Sequence, residues 1–187
     1  MNAHAFVSEN FWIFSLTLRT GTLDFILLKP ISTIFSTYLR HIRPGSFANI
    51  LTTLAVVIYY GIQVDLSVLS WFLLPVAILL GLILATSLDM VISTSMFWML
   101  EGVGINFLRM QFQEFARWPD FIYGSLTRRL LTTFLPILLI GSAPVRFLFD
   151  HGDWLPLLGL AIAILVVWIL LNIVWNIGLN LYESASS

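Results

Sequence analysis

Cysteine is absent from this 187-residue chain, histidine occurs three times, and only 10% of the residues carry charge. Without cysteine there is no disulfide, no thiolate nucleophile and no cysteine-ligated metal. His4, His41 and His151 are too scattered along the sequence to make a ligand cluster. Nine Lys+Arg against ten Asp+Glu give a net charge of −1, so no basic excess is available to hold phosphates, and no nucleic-acid partner is expected. Charge is too scarce for a water-soluble domain, which carries about 25%. Disorder is ruled out by the opposite excess: 14% of the chain is Phe, Trp or Tyr, residues that disordered segments lack. What remains is 59% apolar, with a mean hydropathy of +0.94. The composition implies an all-α, polytopic membrane protein.

Catalytic patterns are missing too. No HExxH, GxSxG or paired Asp occurs, and no histidine falls within an apolar stretch. Intramembrane hydrolysis needs a nucleophile with its base, or a held metal, at bilayer depth. An enzyme is therefore not expected. No Gly-Lys-Ser/Thr phosphate loop is present either, so any ATP and Mg used for energised work would belong to another chain.

Crossing a hydrocarbon core of about 30 Å takes roughly 20 helical residues. Four stretches reach or approach that length, 47–63, 69–91, 126–148 and 154–177. Residues 11–18 form only a short apolar run, with no Lys or Arg before it and Arg19 after it, so no cleavable signal is expected. The segment 93–122 mixes Phe97, Trp98, Phe107 and Phe112 with Glu101, Arg109, Glu114 and Arg117, the pattern of cytoplasmic or interfacial helices. Basic residues collect on the cytoplasmic side of short loops. Arg19, Lys29, Arg40 and Arg43 precede the first stretch, and Arg109, Arg117, Arg128 and Arg129 precede the third or lie at its start. Only Arg146 falls on the other side, so both termini are expected in the cytoplasm, with Asp150 and Asp153 outside. Tyr59, Tyr60, Trp71 and Trp154 would mark the outer interface and Trp12, Trp98, Trp118 and Trp175 the inner one.

Two polar stripes lie within these stretches. Gly81, Ala85, Asp89 and Ser93 recur every fourth residue and share one helix face. An acid at the centre of a span costs about 2.5–3.5 kcal/mol on insertion scales, so Asp89 should face protein or water. Asn172, Asn176 and Asn180 make the second stripe, where interhelical hydrogen bonding is the ordinary account and a substrate-facing lane the alternative. Pro136 and the run from Gly141 to Pro144 interrupt the third stretch, giving a kink or an outer vestibule; freed carbonyls there need protein or water.

Before the first stretch, Gly21 allows a turn, Thr22 can cap a helix beginning there and Pro30 ends it, leaving a short helix over 23–29. Leu23, Ile26, Leu27 and Leu28 make that helix too apolar to be left in water. It needs a lipid interface or a groove on another protein.

The stretch Arg19-Thr-Gly-Thr-Leu-Asp-Phe-Ile-Leu-Leu-Lys-Pro30 resembles the Arg-x-Gly-x-Leu-Asp-x-x-Leu-Leu-(Arg/Lys)-Pro signature of the ABC-2 family transporter permeases. Phe115-Ala-Arg-Trp-Pro-Asp-Phe-Ile-Tyr123, Phe134-Leu-Pro136 and Ala143-Pro144 are similar to that family's central block, and Leu181-Tyr-Glu-Ser-Ala-Ser186 to its ending. The resemblance implies the membrane subunit of an ATP-driven exporter in a bacterial plasma (inner) membrane. Its implied partners are a separate ABC ATP-binding subunit, which holds the ATP and Mg, a second permease subunit, and membrane lipid. Gly21, Leu23, Asp24, Leu27, Leu28, Lys29 and Pro30 would form the ATPase-coupling segment. Gly81, Ala85, Asp89, Asn172 and Asn176 are candidates for a translocation or helix-packing face. Members usually place two spans before the Gly-x-Leu-Asp segment, so this chain is expected to begin at about the end of the second. The competing class is a truncated, non-transporting scaffold or remnant of such a permease.

Overall fold

The computed structural model describes residues 7–41, 46–99, 102–150 and 154–182. His4, Arg43, Glu101, His151, Asp153 and the tail 183–186 lie outside the described residues.

The described chain is helical throughout. Three short helices come first: α1 (Ser8–Arg19), α2 (Thr22–Leu27) and α3 (Thr33–Tyr38). Next come α4 (Ser46–Gln63), α5 (Val68–Thr94), the single turn α6 (Met96–Met99) and α7 (Gly102–Arg117). A 3₁₀ turn at Asp120–Ile122 leads to α8 (Ser125–Thr133), α9 (Leu139–Phe149) and α10 (Leu155–Leu181). Two helical stretches, Val68–Met99 and Leu155–Leu181, are long and apolar enough to cross a membrane, and Leu51–Gln63 and Leu139–Phe149 are shorter apolar helices.

The central bundle is α5, α9 and α10. Leu84, Ala143, Leu160, Ala163 and Val167 form its buried seam. Small residues let the backbones approach closely: a Cβ on Gly81 would come within 2.8 Å of the Ile140 carbonyl oxygen, and one on Gly178 would overlap the Phe97 ring. Ser67 caps α5 by accepting from the Ser70 N–H, and the Ser70 hydroxyl donates to the Leu148 carbonyl at 3.0 Å. That bond ties the end of α9 to the start of α5. By contrast α4 has no extensive helix contact among the described residues. From Leu51 to Tyr60 its side chains are almost all exposed, leaving an apolar surface for lipid or another chain.

At the Thr94 end of α5 lies a second core. Phe11 and Phe14 of α1, Tyr38 of α3, Phe97 of α6 and Trp175 of α10 are buried together, with ring centroids 5.1–5.9 Å apart between Phe14 and its neighbours. Offset and edge-on aromatic pairs at such spacings contribute about 0.5–1.5 kcal/mol beyond their burial. Trp175 is 2% exposed and donates from Nε1 to Thr33 Oγ1; it belongs to this core rather than to an interfacial girdle. Asn10 closes the layer by bonding the His41 backbone through both its Nδ2 and its Oδ1.

One sequence expectation requires correction. Residues 126–148 do not form one continuous helix. Asp120 accepts from both Arg128 (2.7 Å) and Arg146, and a straight helix would hold those arginines about 27 Å apart, too far for both to reach one carboxylate. Instead α8 and α9 fold back on each other as a hairpin with its tip at residues 134–138, closed by the Leu138 N–H donating to the Leu131 carbonyl. Pro136 supplies the reason, since its ring removes a backbone donor and breaks the helix. Arg128 and Arg146 consequently lie together, at the open end of the hairpin. Within 93–122, α7 packs along α5 and α1. Its Arg109 and Gln113 meet Asp89, and its Ala116 carbonyl lies 3.7 Å from where a Gly141 Cβ would be. It therefore ascends α5 from the Thr94 end toward the level of Gly81.

Candidate functional site

Three features around α5 and α2 are built for more than packing. The first is an exposed apolar ridge. Gly21 adopts the left-handed conformation (φ 69°), which glycine enters without steric cost, and so turns the chain from α1 sharply into α2. Leu23 and Ile26 are then buried against α1 and α3, while Phe25 (71% exposed), Leu28 (82%) and Ile31 (60%) point outward. Lys29 and Pro30 are exposed beside them, and Leu27 lies at the boundary. Asp24 is half-buried beside Tyr182 at the end of α10. Burial, and then the Asp24 carboxylate, raise the Tyr182 phenol above its ordinary range. The expected coupling residues thus divide: Gly21, Leu23 and Asp24 position the helix, and Leu28, Lys29 and Pro30 face out. Phe25 and Ile31, which the motif does not contain, supply most of the outward apolar surface.

The second feature is a buried ion pair. Asp89 and Arg109 are 3% and 1% exposed. Arg109 Nη1 lies 3.7 Å from Asp89 Oδ2, and Gln113 Nε2 donates to the same oxygen at 2.8 Å. The guanidinium stacks 4.5 Å over the Phe11 ring, an arrangement worth about 0.5–2 kcal/mol. Arg109 Nε and Nη1, and Asn106 Oδ1 one turn earlier on the same face, have no hydrogen-bond partner among the described residues. Nearby, the Tyr38 hydroxyl meets Thr94 Oγ1 at 3.1 Å. Burial pushes the Tyr38 phenol far above its ordinary value, with the Thr94 hydrogen bond and the Arg109 charge opposing. The pair thus fastens α7 to α5 and to α1. Sequence reasoning placed Asp89 toward the interior and missed both partners, although Arg109 and Gln113 stand one helical turn apart.

The third feature is an open cleft of about 940 Å³, lined from α4, α5, the end of α7, the α8–α9 hairpin and α10. Gly81, Ala85 and Asp89 all line it, so this stripe faces both packing and space. Asn172 and Asn176 do not join them; both are exposed on α10, and Asn172 donates back to the Trp168 carbonyl of its own helix at 2.8 Å. Among the described residues no group of His, Asp and Glu is arranged to hold a metal ion.

No curated protein and no solved structure matches the chain. The family model described as ABC-2 family transporter protein matches residues 1–186. That match takes in the α2 ridge, the buried pair and the cleft alike, and the chain belongs to the ABC-2 transporter family, as a membrane permease subunit of an ABC transporter.

Proposed function

We propose that this chain is the membrane-spanning half of an ATP-driven exporter, and that α2 is where a separate ATP-binding subunit takes hold. The observation that carries the reading is the divided face of α2. Two side chains, Leu23 and Ile26, lock the helix onto the aromatic core, and Phe25, Leu28 and Ile31 are held out from it. A helix of six residues is too short to anchor strongly in lipid by itself, whereas an apolar ridge with Lys29 at its edge suits the core and rim of a protein interface. The partner carries ATP and Mg; closing on ATP, it moves α2, and through α1 and the aromatic core that motion reaches α5 and α10. Such coupling requires contacts that differ between the two states. The exporter works in a bacterial inner membrane as a homo- or heterodimer of permeases, with the α1–α3 layer and both termini in the cytoplasm.

The test is co-purification of the ATPase with a Phe25→Ser/Leu28→Ser variant. Burying each of these side chains at an interface contributes about 1.5–3 kcal/mol, and every 1.4 kcal/mol is about tenfold in affinity, so the ATPase should be lost from the detergent-solubilised complex. Membrane insertion should be unchanged. A variant that keeps its ATPase and leaves the membrane would make α2 an anchor and refute the docking role.

A further inference from the structure

We propose that Asp120 is an ionic latch that holds α8 as a flap beside the cleft, and that losing its charge turns the same contact from attraction into repulsion. The latch governs access to the cleft and does not depend on what docks at α2.

One oxygen carries the contact. Arg128 of α8 and Arg146 of α9 both donate from Nη2 to Asp120 Oδ2, Arg128 at 2.7 Å. Two hydrogen bonds of ordinary length to one atom leave the two guanidinium nitrogens within about 6 Å of each other. Without the carboxylate, they are like charges at that separation and repel. The acid side chain is 15% exposed and the two arginine side chains 41% and 51%, so dissolved salt reaches the trio.

What the latch fastens is loosely held. Leu131 is the buried residue of α8, and α8 has no extensive contact with another helix among the described residues, whereas α9 packs on both α5 and α10. Both ends of α8 are suited to turning. Before it, Tyr123 is fixed by donating from its hydroxyl to the Phe115 carbonyl at 3.0 Å, and Gly124 then has open space where a Cβ would be. After it, Pro136 interrupts the backbone pairing. Apart from the latch, α8 is held to the start of α9 by the Leu138 N–H on the Leu131 carbonyl and by the small cluster of Leu131, Ile137 and Leu138. Thr132, Thr133 and residues 134–137 line the cleft. A turn of α8 away from α9 therefore widens the cleft, and the closed latch narrows it.

The experiment uses the full chain in phosphatidylcholine nanodiscs, with spin labels on cysteines placed at Thr127 of α8 and Val145 of α9, both exposed. The chain has no cysteine of its own. Raising the salt from about 0.1 M to about 1 M shortens the Debye length from about 10 Å to about 3 Å, and in the parent protein it should add a population at longer distance. Asp120→Asn should raise the ratio of long to short distances about tenfold at low salt, since two exposed pairs are lost and repulsion is gained. In that variant salt should act in the opposite sense and shrink the long population, because it now screens repulsion. Asp120→Asn/Arg128→Glu, which restores an attraction to Arg146, should return the parent distances. Glu114→Gln, which removes the acid of the exposed Glu114–Arg117 pair, should leave them unchanged. A cysteine at Thr132 should react several-fold faster with a maleimide in Asp120→Asn than in the parent. Parent distances that ignore salt, or an Asp120→Asn variant on which salt acts as it does on the parent, would overturn the latch. A long population without faster reaction at Thr132 would overturn its hold on the cleft. None of these readouts needs the ATPase, so a failure here is distinct from a failure of α2 docking.

Discussion

Removing one member of the Asp89–Arg109 pair should destabilise the protein more than removing both. With Nη1 and Oδ2 3.7 Å apart, the attraction is about 4 kcal/mol at an effective dielectric near 20. Truncating one partner of a buried pair costs about 3–5 kcal/mol because the other charge is left without compensation. Replacing both by apolar residues of similar volume is often neutral or stabilising, by about 1–4 kcal/mol. Arg109→Met alone leaves the Asp89 carboxylate with Gln113 as its remaining close partner on α7, and forfeits the stacking on Phe11. Asp89→Leu alone strands a guanidinium that is 1% exposed and whose Nε and Nη1 already lack hydrogen-bond partners among the described residues. For a chain of this size 1 kcal/mol moves the midpoint by about 2–4 °C, so each single variant should unfold roughly 6–20 °C lower by intrinsic-fluorescence melting in detergent. The Asp89→Leu/Arg109→Met double variant should recover most of that loss. Single variants that melt with the parent protein, or a double variant no better than the worse single one, would refute the claim that each residue of the pair compensates the other's buried charge.

Three further outcomes are expected from the packing. Single cysteines at Ser125 and Asp150 in this cysteine-free chain should label from the same side of sealed cells, and one at Lys29 from the opposite side; labelling of Ser125 and Asp150 from opposite sides would dissolve the α8–α9 hairpin. Burial raises the Tyr38 phenol above its ordinary value, so the folded protein keeps a proton that the unfolded chain releases. Its stabilisation is therefore complete below the unfolded value of about 10 and declines as the pH rises further; Tyr38→Phe should flatten that alkaline decline in melting temperature while costing about 0.5–1.5 kcal/mol at neutral pH for the Thr94 hydrogen bond. Gly178→Val would press into the Phe97 ring and should destabilise by about 1–3 kcal/mol in the same melting assay, with Gly159→Val, at an open position, nearly neutral.

Features carried by local chemistry were readable in the sequence. Gly21 and Pro30 delimit α2 because one supplies a left-handed turn and the other ends helical pairing, and the apolar residues between them already called for a receiving surface. Which of them face the core was not readable: in a helix this short Leu23, Ile26, Leu27 and Leu28 are chemically alike, and only contact with Phe14, Tyr38 and the end of α10 decides that the first two go in. Asp89 could be placed from its own stripe with Gly81 and Ala85. Its partner could not, because Arg109 on an amphipathic segment with Glu114 and Arg117 looks like any solvated cation until tertiary packing brings α7 onto α5.

The hairpin shows where hydropathy loses its meaning. Residues 126–148 are apolar over a length that crosses about 30 Å once, and the same length makes two half-length helices that go in and come back. An average over the window is identical for both. What separates them is local, Pro136 at the centre, since the run from Gly141 to Pro144 stays within α9, but a central proline also occurs in a merely kinked span. The count of basic residues assumed a crossing between Arg128 and Arg146, two residues that Asp120 draws together. Acids contribute little to that rule, and Asp120 was left out of it. Yet Asp120 is the residue that both arginines seek, and an acid flanked in space by two cations screens the charge that would otherwise hold Arg128 in the cytoplasm. With Arg128 and Arg146 drawn to Asp120, and Arg109 and Arg117 paired with Asp89 and Glu114, Arg129 and the four basic residues at 19, 29, 40 and 43 remain to orient the chain, and those four all precede α4, in the part of the sequence that holds the α2 ridge.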